Sequence, residues 1–181
     1  MGNTEITVSV TDYMSSDRKF SDNLSAFKYK DEMYEYLCQV VRGQFNEFKV
    51  FNFHTDMSFS NNANANKSFK EYLKDHGNYV RTYICIRKSD FVKGESIADI
   101  LEQFKADMAG KTIEIRVLVL TDSWYDGLTS LGDPSEWNDK VLFRGQLLSG
   151  DENEQELSLY DCENETFVSS TGVPIENNRT R

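Results

Sequence analysis

The side chains able to do chemistry are few and widely spaced. His54 and His76 are the two histidines, and a His-based metal site built on them needs carboxylates to complete it. His76 stands beside Gly77 at a predicted helix end, where a histidine complements the dipole. His54 closes an aromatic run, where a general base competes with the commoner surface histidine at a strand end. Asp122-x-Trp124-x-Asp126-Gly127 echoes the opening of a calcium loop. The third position is Trp where Asp or Asn is required, and the twelfth is Asp133, shorter than the usual bidentate Glu. That reading fails, which leaves a carboxylate metal pair at Asp122 and Asp126 against an acidic surface turn.

Glu114 and Arg116 lie two apart on one strand face, where metal-dependent nucleases often place Glu-x-Lys. Arginine does not shed a proton, and alternating charges on a wet strand face explain the pair more simply. No Gly-x-x-x-x-Gly-Lys, Gly-x-Gly-x-x-Gly or Gly-x-Ser-x-Gly occurs, so the phosphate loops and the nucleophile elbow are missing. Cys38, Cys85 and Cys162 are far apart and odd in number, which argues for reduced thiols and against a disulfide framework or a Cys-x-x-Cys metal site.

These residues are carried by a chain that alternates strand-like and helix-like patterns. Residues 5–11 put Ile6, Val8 and Val10 on one face and predict a strand. Residues 12–29 are polar and predict a loop. From Asp31 to about Asn46, Met33, Leu37, Val40, Val41 and Gln44 or Phe45 recur at helical spacing, with Asp31 and Glu32 near the positive end of the dipole. An aromatic strand at 47–54 follows, then an asparagine-rich loop around 61–66 and a short helix at 67–76. Residues 79–88 alternate again. Ser96 and Asp99 form a capping box for a helix whose stripe is Ile97, Ile100, Leu101, Phe104 and Met108, ending at Gly110. Residues 112–120 make the strongest strand. Turn signals fill 121–138, and runs at 140–148 and 155–162 predict a hairpin with an acidic loop. The tail 170–181 is polar. The expected fold class is α+β: one domain over 1–169, with a mixed, mostly antiparallel sheet of five to six strands and two or three helices on one face.

The 181 residues carry a net charge of −10, and position matters more than size. Residues 121–165 hold twelve acids and two bases, Lys140 and Arg144, while the rest of the chain balances at eighteen of each. A direct nucleic-acid binder shows the opposite, a basic stripe that displaces counterions from phosphate. No apolar run approaches the roughly 18–20 residues of a membrane helix, and the first residues lack the basic and apolar regions of a secretory signal. A soluble cytoplasmic protein is expected, in a host cytoplasm if the chain is viral.

Charge segregation points to a non-enzymatic, acidic protein-binding module that docks on a basic surface, such as the nucleic-acid groove of another protein. Small acidic inhibitors from phages and mobile elements work this way, an analogy of charge alone. The expected contact residues are Asp122, Trp124, Tyr125, Asp126, Asp133, Glu136, Trp137, Asp151, Glu152, Glu154 and Glu156: aromatic anchors ringed by carboxylates that steer toward a basic partner. Neither a cofactor nor a bound metal is expected. A structural or assembly protein of virion type, able to self-associate, is the first alternative. A carboxylate-metal enzyme built on Asp122 is the second.

Overall fold

A computed structural model describes residues 8–11, 19–22, 24–56, 79–109, 111–149 and 155–169. The asparagine-rich loop, the helix expected at 67–76 with His76, the hairpin acids Asp151, Glu152 and Glu154, and the tail 170–181 lie outside the described residues. Strands β1 (Val8–Thr11) and β2 (Lys19–Asp22) pair antiparallel as a separate two-stranded sheet. Helix α1 spans Leu24–Arg42. Residues 19–22 and 24–30, expected as loop, are therefore strand and helix. Leu24, Ala26, Lys28 and Lys30 are good helix formers, and the polar serines and aspartates around them masked that signal. Asp31 and Glu32 consequently sit inside the helix, not in its first turn.

The main sheet has six strands in the order β3 (Lys49–Asp56), β4 (Tyr79–Arg87), β5 (Thr112–Leu120), β6 (Val141–Ser149), β7 (Gln155–Asp161) and β8 (Thr166–Val168). Strands β4 and β5 are parallel, joined through helix α2 (Gly94–Asp107), and every other pairing is antiparallel. This is a mixed α+β sheet, as the alternating patterns imply. Strand β8 has no counterpart in the sequence reading, because three residues are too short to show a period. Asp161 sets up the turn before it, its carboxylate accepting the Asn164 N–H at 3.0 Å.

The inner face buries the helices. Met33, Leu37, Val41 and Phe45 of α1 and its exit pack with Ile97, Ile100, Leu101, Phe104 and Met108 on Val80, Ile84, Ile86, Ile113, Ile115, Val117, Val119 and Leu147. The expected stripe of α2 is buried in full, but its start is not the expected one. The helix begins at Gly94 behind an extended Lys93 with no side-chain cap, so Ser96 and Asp99 make no capping box. The helix starts two residues earlier than expected, at Gly94 under the Phe143 ring, where a Cβ would come within 2.9 Å, so a residue without a side chain suits this close approach. Gly145 of β6 does the same at mid-helix: a Cβ there would stand 2.3 Å from Ile97 Cγ2.

Among the described residues, cover on the outer face comes from the segment after β5. Residues 121–140 form two short helices, α3 (Asp122–Gly127) and α4 (Pro134–Trp137), where turns are expected. Their Tyr125, Leu128, Leu131 and Trp137 cover Cys85, Leu118, Leu120 and Val141 in a second core. At the other end the strands present Arg81, Glu114, Arg116, Gln146, Ser158 and Glu156 outward, in register across β4 to β7.

Candidate docking site

The acidic segment is held to the sheet by cations from strands that precede it. Lys49, at the start of β3, donates its ammonium to the Tyr125 carbonyl at 2.6 Å and the Leu128 carbonyl at 2.9 Å, and sits 4.6 Å from the Tyr125 ring centroid. It thereby adds a charged donor to the Tyr125 carbonyl, which also accepts the Leu128 N–H at 3.2 Å, and answers the Leu128 carbonyl just past the end of α3. Arg87, ending β4, pairs with Asp126 at 2.5 Å and lies 5.1 Å from the same ring. A bulge in β3 supplies the third tie. Phe51 pairs with Tyr83 and His54 with Arg81, so one residue is extra, and Asn52 takes φ 50°, a left-handed conformation asparagine tolerates. Its amide then donates to the Leu131 carbonyl at 3.3 Å. None of Lys49, Asn52 and Arg87 figures in the sequence reading, because nothing local links them to partners 39 to 79 residues on.

Two of the expected anchors turn inward. Tyr125 and Trp137 are each 3 % exposed. The Trp137 indole N–H donates to the Gly132 carbonyl at 3.2 Å, and its ring meets Tyr83 edge-on at 5.9 Å. Burying such large apolar area outweighs offering it to a partner, so both belong to the core. Burial raises the Tyr125 phenol, with the Glu47 carboxylate adding to the shift.

Trp124 behaves differently. It is half-buried and walls a cleft of about 240 Å3 together with Ser123, Gly127, Leu128, Gly132 and Glu136. Its indole N–H is shielded from water and has no acceptor, a cost of roughly 1–3 kcal/mol. Asp122, Asp133 and Glu136 are exposed, and of the three Glu136 lines the cleft. The Asp122 carboxylate accepts the Ser89 N–H at 2.9 Å. Glu136 folds over Gly132, where a Cβ would come within 2.7 Å of its Oε2, so only glycine leaves the carboxylate in this place. Asp126 is drawn to Arg87, on the groove side of α3.

Glu156 is not part of this group. Leu157 and Leu159 of β7 face the helices, so Glu156 faces outward in the row of Glu114 and Leu148. That row starts β5, whereas α3 follows its end. Among the described residues, the acids expected as contacts thus fall in two places: four lie on or beside α3 and α4, and Glu156 stands at the opposite end of the sheet face.

The other candidates find structural partners. Glu114 accepts from Arg81 Nε at 2.5 Å and pairs with Arg116 at 3.2 Å, a charge ladder across adjacent strands. Asp122 and Asp126 engage different partners, and no cluster of three metal-ligating side chains occurs among the described residues. Cys38 and Cys85 are buried free thiols and Cys162 is half-buried. Burial pushes the Cys85 thiol up to about 12 and raises the other two, the opposite of an activated nucleophile. No helix among the described residues is long and apolar enough to cross a membrane. No protein-family model matches the chain, and no curated protein or solved structure is significantly similar to it.

Proposed function

We propose that the protein is a non-enzymatic binding module that docks through the Trp124 cleft on a basic surface of another protein. The observation that carries this reading is the setting of Trp124, a half-buried indole in a cleft that Glu136 also lines, with the exposed Asp122 and Asp133 next in sequence to the lining residues Ser123 and Gly132. Such a cleft suits a long basic side chain, its alkyl part against the indole and its charged head at Glu136. Trp is among the commonest interface anchors, and surrounding carboxylates speed encounter with a cationic partner. An inhibitor that occupies a nucleic-acid groove is the case with the densest basic surface, and we infer that class of partner from charge alone.

A titration of the full chain with a labelled oligo-arginine peptide tests the reading. Binding that weakens with salt, and weakens at least about tenfold in Trp124→Ala, about 1.4 kcal/mol, supports it. Equal binding by the wild-type chain and Trp124→Ala overturns it.

A further inference from the structure

Across α3 from the Trp124 cleft lies a larger groove of about 560 Å3 whose walls include Tyr34, Arg42, Phe48, Lys49, Arg87 and Tyr125. Helix α3 lends Tyr125 and Asp126 to this groove and Ser123, Trp124 and Gly127 to the cleft, so the two sites are separate. The volume is in the usual range for small-molecule sites, roughly 300–1,000 Å3. Its place also fits: Arg87 ends β4, one of the two parallel strands, and open sheets bind ligands beyond the carboxyl ends of such strands.

The charge of the groove runs against that of the chain. Arg42, Lys49 and Arg87 face Glu47 and Asp126 within a molecule of net charge −10. Lys49 is held by backbone carbonyls and has no carboxylate partner among the described residues. Arg42 reaches Glu35 only at 3.9 Å, with both side chains well exposed, a contact worth little in water. Arg87 meets Asp126 at 2.5 Å and Glu47 at 3.5 Å, and both carboxylates are more than half exposed, so a stronger anion can displace them. Its Nε is buried without an acceptor. Both guanidiniums stand by aromatic rings, Arg42 at 5.9 Å from Phe48 and Arg87 at 5.1 Å from Tyr125, which restrains them without using their donors.

We propose that this groove binds a small phosphate monoester. Arg42 and Arg87 take the dianion, for which forked donors are well matched, and Tyr34 and Phe48 take the organic part. The test is an NMR titration of the 15N-labelled full chain with phenyl phosphate, inorganic phosphate and benzoate. Saturable shifts are expected at Arg42, Phe48, Arg87 and Tyr125, with phenyl phosphate tightest and benzoate weakest. Arg42→Gln, at an exposed position that leaves the fold intact, is expected to weaken phenyl phosphate about tenfold, the loss of one charged contact of about 1.4 kcal/mol. Trp124→Ala is expected to leave it unchanged. The proposal is overturned if no ligand saturates by about 10 mM, some 2.7 kcal/mol of binding, if Arg42→Gln binds as the wild type does, or if benzoate binds as tightly as phenyl phosphate.

Discussion

Replacing Lys49 by Met removes the ammonium that fastens the acidic segment to the sheet while keeping most of the side chain's apolar length. Two carbonyls lose a charged donor, Tyr125 O at 2.6 Å and Leu128 O at 2.9 Å, and the Tyr125 ring loses the cation at 4.6 Å. Hydrogen bonds to charged groups contribute about 1.5–3 kcal/mol each, and the half-buried setting places these near the lower end. Two such bonds give about 3 kcal/mol. Methionine recovers some packing and need not desolvate a charge, so the net loss is about 2–3 kcal/mol. For a chain of this size, 1 kcal/mol shifts Tm by about 2–4 °C, so a fall of about 4–12 °C is expected in a thermal melt followed by circular dichroism. Trp124 fluorescence, read below the transition, should shift to the red as α3 loosens. A loss below about 0.5 kcal/mol, the range of ordinary surface changes, with unchanged fluorescence would show that Lys49 does not hold the segment.

Three further outcomes test the core and its chemistry. Phe104→Ala removes a fully buried ring from α2 and should cost roughly 3–5 kcal/mol in urea unfolding; a value below about 1 kcal/mol would place that helix on the surface. Gly145→Ala sets a methyl 2.3 Å from Ile97 Cγ2 and 3.0 Å from Leu101 Cδ1, so α2 must shift, at a cost of about 1–3 kcal/mol; wild-type stability in this variant would refute the close packing. The Cys85 thiol, raised from 9.0 to about 12 by burial, favours the neutral form in the fold. Its contribution is therefore complete below about pH 9 and is lost as pH rises toward about 12. Cys85→Ala should flatten that alkaline loss, and an unchanged slope would remove Cys85 as its source.

The legible parts of the fold are those with a strong period. Strand 112–120 and the stripe from Ile97 to Met108 stand where hydrophobic alternation and helical spacing put them. What escaped was decided by tertiary contact. The first residue of α2, Gly94, passes under Phe143, a contact about fifty residues away in sequence that the local Ser96–Asp99 pattern does not register. The first turns of α1 were hidden by polar residues whose helix propensity is adequate once packing elsewhere fixes the chain. At the site, composition located the acids but not their grouping. Pleating puts Glu156 on the outer face and strand register puts it at the far end of that face, while two aromatics that share a segment with Trp124 are buried over the outer face. Asn52 could be singled out only through its bulge, since no sequence pattern marks a left-handed residue inside a strand.

The central claim, that the acids around Trp124 form a docking surface, is tested most directly by association kinetics. Stopped-flow mixing of a labelled oligo-arginine peptide at low salt should be compared for the wild-type chain and for the triple variant Asp122→Asn, Asp133→Asn, Glu136→Gln. Rim charges set association more than dissociation, and Asn keeps an acceptor for the Ser89 N–H at position 122. The account predicts an association rate about tenfold lower in the triple variant, a flatter dependence on salt and a nearly unchanged dissociation rate. An unchanged association rate at low salt would contradict it, making these carboxylates an ordinary solvated face.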